Sequence, residues 1–170
     1  MSIDYFAPIY TLEEFAEIRD SIGGSLIVTS GGFDPIHPGH ISCIIDSKNY
    51  GDKLAVVVNG DSFLKHKKGA AFQPLAMRCE IISAIKGVDY VVSFEIENDN
   101  TVCEALRVIS PEIFTKGGDR VDASTIPEWD TCVANGIKVV TGVGDSKVNS
   151  SSSILEDWYD KRIRIFSDVG

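Results

Sequence analysis

Residues 54–58 are apolar at every position, with the sequence Leu-Ala-Val-Val-Val. Successive side chains of a strand point to opposite faces, so such a run needs cover on both faces, as strands in parallel sheets have. Similar runs, at 25–30, 89–94, 112–115 and 137–141, alternate with segments of helical periodicity, which is typical of β-α-β units. The sequence therefore predicts an α/β fold: a doubly wound, five-stranded parallel sheet with helices on both faces.

The N-terminal segment contains a helix start signal. Thr11 is followed three residues later by Glu14, the pattern of a capping box, and apolar residues recur at helical spacing over 12–22. We predict that residues 1–23 form a helical extension packed on the rest of the chain. At 170 residues, the whole chain, 1–170, fits one domain with a full core.

Two later segments are assigned from spacing and composition. The helix after the first strand is predicted to bury Ile41, Ile44 and Ile45, which recur at helical spacing. Residues 59–73 are mostly polar and predict a loop, and Arg78 is predicted to lie off the apolar face of the helix that follows.

A glycine-rich turn with two histidines follows the first predicted strand. The N-terminus of the next helix offers unpaired N–H groups and a partial positive charge, which attract phosphate. Three glycines let the backbone approach a ligand closely: Gly31, Gly32 and Gly39. His37 and His40, two of the chain's three histidines, can each donate a hydrogen bond to an anionic oxygen. The turn is therefore a candidate phosphate site.

Three other segments favour the same chemistry. Residues 65–68 gather basic side chains in an acidic protein, which favours contact with a polyphosphate. Residues 116–119, Lys-Gly-Gly-Asp, follow a predicted strand and can wrap around a ligand. Four serines at 150–153 open the last helix, and four hydroxyls exceed what capping needs. Lys147, just before the serines, can add charge to that helix start.

Composition excludes several classes of function. A net charge of −9 and a pI near 4.7 argue against a general nucleic-acid binder. The four cysteines have no metal-ligand spacing, so reduced thiols and a cytoplasmic location are expected. No apolar run approaches membrane-spanning length. The fingerprint GxGxxG is absent, which disfavours a hydride-transfer enzyme.

The turn resembles a known signature. Gly-Gly-Phe-Asp at 31–34 followed by His-Pro-Gly-His at 37–40 resembles the HxGH motif of the cytidylyltransferase-like nucleotidyltransferases. With Lys-Gly-Gly-Asp at 116–119, the chain is most similar to the adenylyltransferases that form ADP-heptose from heptose 1-phosphate. The resemblance spans residues 11–155 and implies a Rossmann-like strand order of 3-2-1-4-5. It also implies a homodimer that acts on small molecules, without nucleic acid or membrane.

The resemblance implies roles for individual residues. Catalytic roles fall on His37, His40 and Lys68. Nucleotide-binding roles fall on the following residues: Gly31, Gly32, Phe33, Asp34, Gly39, Lys65, Arg78, Lys116, Gly117, Gly118, Asp119, Ser150, Ser151 and Ser152. Mg²⁺ is expected to enter on the triphosphate, without a metal site of the protein's own. Asp34 could orient a histidine, bind magnesium through water or brace the turn.

The expected reaction is nucleotidyl transfer from ATP to a phosphorylated small molecule, such as a sugar 1-phosphate, with release of pyrophosphate. Two alternatives stay open. One is a CTP-dependent cytidylyltransferase acting on glycerol 3-phosphate or a similar phospho-alcohol. The other is a nucleotide-binding regulatory module without turnover.

Overall fold

A computed structural model describes residues 6–118, 120–145 and 150–167 of the chain. Helices and strands alternate along most of it, as the hydrophobic pattern predicts. The strands are β1 (Ile9–Thr11), β2 (Leu26–Gly31), β3 (Lys53–Asn59), β4 (Tyr90–Phe94), β5 (Ile113–Gly117) and β6 (Lys138–Val143). The helices are α1 (Leu12–Ile18), α2 (Pro38–Ser47), α3 (Asp61–Lys68), α4 (Leu75–Ser83), α5 (Cys103–Ile109), α6 (Trp129–Ala134) and α7 (Ser151–Ser167).

All strand pairs are parallel, and the sheet has the order β1-β4-β3-β2-β5-β6. The prediction of five strands is therefore wrong, because the described residues form six. Within the sheet, β2 to β6 follow one another as 3-2-1-4-5 when β2 is numbered first. The additional strand, β1, pairs with β4 at the edge, so the segment before residue 23 contributes a strand as well as the helix α1.

The sheet is covered on both faces, and β3 shows how. Ala55 and Val57 pack with residues of α1, α5 and α6 in one apolar cluster. Leu54, Val56 and Val58 pack with residues of α2 and α4 in a second cluster. The side chains of β3 thus alternate between two cores, which explains why its sequence is apolar throughout.

Two local predictions are wrong. Residues 61–68 form the helix α3 within the segment predicted as a loop, and Gly69 ends it with a φ of +91°. In α2, Ile44 is buried, but Ile41 and Ile45 are 37% and 45% exposed. Those two isoleucines therefore lie beside the buried stripe of α2 and not in it, since a surface helix buries only one stripe.

Because every strand is parallel, the segments that follow the strands meet at one edge of the sheet. This edge brings together the turn after β2, the start of α3 and the glycines after β5. The serines that open α7 lie there too, because Ser151 Oγ donates a hydrogen bond of 2.8 Å to the Pro35 carbonyl. None of the helices in the described parts of the chain is long and apolar enough to cross a bilayer.

Candidate active site

A cavity of about 720 Å³ opens at the carboxyl edge of the sheet. Six residues of the histidine turn line it: Gly31, Gly32, Phe33, His37, Gly39 and His40. Six predicted residues from the later segments also line it: Lys116, Gly117, Gly118, Ser150, Ser151 and Ser152. With His66 and Lys67 of the basic segment, which also line it, the cavity brings together residues of all four segments that the sequence singled out, although they are far apart in the chain.

The two histidines form one unit at the start of α2. Their rings are stacked, with centroids 3.7 Å apart and planes inclined by 25°. The Gly39 N–H donates to His37 Nδ1 at 3.2 Å, and the His37 N–H donates to His40 Nδ1 at 3.3 Å. Both Nδ1 atoms are thus acceptors, so a neutral ring carries its proton on Nε2. The spacing of three residues exists because the pair caps the helix as a capping box does.

Packing within the protein explains the glycines of the turn better than the close approach of a ligand to the backbone does. A Cβ at Gly39 would lie 3.1 Å from the His37 ring, and a Cβ at Gly32 would lie 2.7 Å from Leu64. At Gly31 the nearest contact would be the Phe33 ring, at 3.0 Å. These glycines therefore let the turn fold against its own side chains and against α3.

The four serines at the start of α7 have different roles. The Ser153 N–H donates to Ser150 Oγ, and the Ser150 N–H donates to Ser153 Oγ, both at 3.1 Å. These two serines cap the helix, and Ser151 connects it to the histidine turn through Pro35. Ser152 lies exposed on the cavity wall. Only part of the serine run is therefore used up by capping.

On α3, the side chains at the cavity are not the two lysines that were singled out. Phe63, His66 and Lys67 line the cavity, whereas Lys65 is exposed outside it. Residues 63, 66 and 67 have the spacing i, i+3 and i+4, so they share one helix face. The sequence predicts a loop here, and a loop has no such periodicity. Lys67 could therefore not be distinguished from its neighbours.

Lys68 lies beside Asp34 and not on the cavity wall. Its Nζ lies 2.9 Å from Asp34 Oδ2 and also donates to the Asp34 carbonyl. The Asp34 carboxylate is fully buried and accepts the N–H groups of Phe72 and Gln73, both at 2.7 Å. Asp34 therefore braces the turn, the third of the roles considered for it. Both carboxylate oxygens are engaged by protein donors, so Asp34 does not fit a magnesium shell.

Arg78 is buried, which corrects its predicted position off the apolar face of α4. Its guanidinium donates to three backbone carbonyls, those of Gln73 (2.9 Å), Gly32 (2.8 Å) and Asn59 (2.5 Å). It also pairs with Asp61 at 2.6 Å. Arg78 lies outside the cavity wall and joins the histidine turn to the end of β3.

Lys116 and Glu128 form a buried ion pair in the cavity wall. Lys116 Nζ lies 3.3 Å from Glu128 Oε2 and 3.4 Å from Ser30 Oγ, and it lies 4.6 Å from the centre of the Phe114 ring. Burial lowers the pKa of Lys116, and the nearby charge of Glu128 opposes that change.

Replacing Lys116 by methionine should flatten the pH dependence of stability at alkaline pH. Burial holds the pKa of Lys116 below 10.5, so between the lowered pKa and 10.5 the unfolded chain binds more protons than the folded chain. The contribution of this lysine to the free energy of unfolding therefore rises with pH across that window. Denaturant unfolding of both proteins, at steps from neutral pH to 10.5, measures the slopes. Parallel curves would contradict the assignment.

Several cavity residues received no individual role from the sequence: His66, Lys67, Asn100, Arg120, Glu128 and Asp145. His66 and Lys67 belong to the basic cluster, and helical periodicity could have selected them. Asn100, Glu128 and Asp145 lie beyond the ends of different strands, and no local signal marks them. Asp119 and Lys147 lie outside the described residues. Within the described part of the chain, no three His, Cys, Asp or Glu residues group as metal ligands do.

Comparison with known proteins places this fold in a family. The model of the cytidylyltransferase-like family matches residues 28–155. Among curated relatives, the bifunctional protein HldE of Methylococcus capsulatus is 35% identical over 119 residues, covering 69% of this chain and 24% of that protein. HldE of Aliarcobacter butzleri is 32% identical over 150 residues, 86% of this chain and 30% of that protein. The matched part of the chain thus spans 24–30% of the length of these relatives.

Solved structures agree with the family match. The lipopolysaccharide core biosynthesis protein of Thermoplasma volcanium superimposes with a TM-score of 0.62 at 27% identity, covering 72% of this chain and 99% of that chain. Pantothenate synthetase of Thermus thermophilus shares the fold, with a TM-score of 0.60 at 14% identity over 87% of this chain and 67% of that chain. The chain belongs to the cytidylyltransferase-like family, a family of nucleotidyltransferases.

Proposed function

We propose that the protein transfers a nucleotidyl group from a nucleoside triphosphate to a phosphorylated sugar such as heptose 1-phosphate. The proposed donor is ATP. The observation that carries the proposal is the shared cavity of the stacked His37–His40 pair and the serines that open α7. Two helix N-termini thus face one cavity, and both favour phosphate. The resemblance to adenylyltransferases that form ADP-heptose, together with the similarity to a lipopolysaccharide core biosynthesis protein, supports a sugar phosphate as acceptor.

The proposed chemistry needs no nucleophile from the protein. A phosphate oxygen of the acceptor attacks the α-phosphorus in line, a new P–O bond forms, and the bond to the β-phosphate oxygen breaks to release pyrophosphate. The Nε2 protons of His37 and His40 donate to oxygens on which negative charge develops. Lys67 contributes charge to the triphosphate, in the role first given to Lys65 and Lys68, and the Ser152 hydroxyl contributes a hydrogen bond, as expected from the sequence.

The nucleotide enters as its Mg²⁺ complex in this proposal, and the ion neutralises part of the triphosphate charge. The described residues do not gather a ligand set for it, and Asp34 is engaged elsewhere. In this proposal the ion arrives with the substrate.

We expect pyrophosphate release only when triphosphate and acceptor are both present. The assay compares ATP and CTP, each alone, with heptose 1-phosphate and with glycerol 3-phosphate. Turnover with ATP and the sugar phosphate supports the proposal, and turnover with CTP and glycerol 3-phosphate supports a cytidylyltransferase instead. Tight ATP binding without pyrophosphate from any acceptor would favour the regulatory module.

A homodimer in the cytoplasm is part of the proposal. Trp158, Tyr159 and Phe166 are 57–65% exposed on α7, and such side chains suit burial against a second copy. All four cysteines are free, which suits a reducing compartment. Light scattering of the purified chain distinguishes monomer from dimer.

A further inference from the structure

The carboxylate of Glu128 has hydrogen-bonding capacity that the protein leaves unused. Its side chain is 5% exposed and lines the cavity. Oε1 accepts the Val102 N–H at 3.3 Å. Oε2 is buried and has no hydrogen bond from any residue in the described parts of the chain, although it lies 3.3 Å from Lys116 Nζ as an ion pair. Polar atoms buried in this way are rarely left without a hydrogen bond.

Lys116 offsets the charge of Glu128 but does not exhaust its lone pairs. Lys116 also contacts Ser30 Oγ and the Phe114 ring, so its ammonium group is shared among several partners. A buried ion pair is seldom more stabilising than apolar residues of similar volume. Stability alone therefore gives no reason for a carboxylate in this wall.

The hydrogen-bonding properties and charge of a carboxylate restrict the groups that can bind beside it. An ionised carboxylate only accepts hydrogen bonds, and it repels phosphate, whereas the histidines and serines of the same cavity can donate to phosphate. A hydroxyl group donates to a carboxylate in a charge-assisted bond, which is stronger than a neutral one. A ligand with phosphate at one part and hydroxyls at another matches both parts of the wall.

We infer that the Glu128 carboxylate, which lines the cavity, accepts a hydrogen bond from a hydroxyl of a polyol bound there. The inference rests on the proposed function, which supplies two such polyols, the sugar of the acceptor and the ribose of the nucleotide. Glu128 is then a specificity-determining residue. Asn100 and Arg120 line the same cavity and lie on the connections after β4 and β5, respectively. Glu128 links these two connections, because it follows β5 and accepts the Val102 N–H.

The test uses Glu128→Gln, which keeps the shape and loses the charge. If the acceptor supplies the hydroxyl, its KM rises about tenfold to a hundredfold, while kcat changes less and the Kd of ATP stays constant. If the ribose supplies it, the Kd of ATP rises by a similar factor, while the Kd of the matching 2′-deoxy or 3′-deoxy ATP does not. Calorimetry measures the Kd values, and pyrophosphate release measures KM and kcat.

Glu112→Gln is the matched control. Glu112 also accepts a backbone N–H, from Leu26 at 2.6 Å, and also contacts a cation, Arg19 at 3.4 Å. It lies just before β5, at the amino ends of the strands and away from the cavity. Its substitution should therefore change stability without changing KM or Kd selectively.

Two failures can be told apart. If the wild-type protein releases no pyrophosphate with any acceptor, the proposed function fails, and the comparison of ATP with its deoxy analogues still decides the ribose arm. If wild type turns over and Glu128→Gln keeps the wild-type KM and Kd values, Glu128 only joins two loops, and the inference is overturned. Should the variant not fold, the wild-type protein with deoxy analogues of both substrates decides, because discrimination below about twofold overturns the inference.

Discussion

Replacing His40 by asparagine should lower kcat for pyrophosphate release about 10²–10³-fold and leave the protein folded. The side-chain oxygen of asparagine can take the place of Nδ1 and accept the His37 N–H, which now bonds to His40 at 3.3 Å. The cap of α2 is therefore kept, while the Nε2 donor is lost. Steady-state kinetics with ATP and the acceptor measures the effect, and circular dichroism with thermal denaturation checks the fold.

His40→Gln is the complementary variant. Its amide nitrogen reaches toward the position of Nε2, so part of the lost rate should return, although the contact of Nδ1 with the His37 N–H is lost. The rates should therefore fall in the order wild type, glutamine variant, asparagine variant. The thermal stability should be lower for the glutamine variant than for the asparagine variant, because only asparagine keeps the bond to the His37 N–H. Near-normal turnover of the asparagine variant would remove His40 from the chemistry.

Most of the sheet could be predicted because its signal is local. β3 is apolar throughout since its alternate residues enter two cores, and the turn after β2 is recognisable from its glycines and histidines. β1 could not be predicted in this way. It has three residues, of which Ile9 is 45% exposed, and its pairing depends on the open edge that β4 offers.

The candidate site was predicted where one segment supplies both the geometry and the chemistry, as in the histidine turn and the serine run. It was not predicted where partners are distant in sequence. Lys68 pairs with Asp34, and Glu128 enters the wall only because α6 begins near the end of β5. α3 was missed because its composition is polar, although Gly60 and Gly69 flank it.

Replacing Arg78 by methionine should lower the free energy of unfolding by about 3–5 kcal/mol. Methionine fills much of the volume but donates no hydrogen bond. The carbonyls of Gly32 and Asn59 would lose their donor, and buried acceptors without donors cost free energy. The effect should be far larger than that of any surface arginine, because the Arg78 side chain is fully buried. Urea unfolding followed by circular dichroism gives the difference.

Arg107→Met is the control. Arg107 is 52% exposed and forms a helical pair with Glu104 at 3.4 Å, so its loss should change the free energy of unfolding by less than about 1 kcal/mol. ATP affinity separates the two roles considered for Arg78. If Arg78→Met keeps its stability and loses ATP binding, the guanidinium contacts the nucleotide. If stability falls and the folded fraction still binds ATP, Arg78 acts by holding the histidine turn against the end of β3.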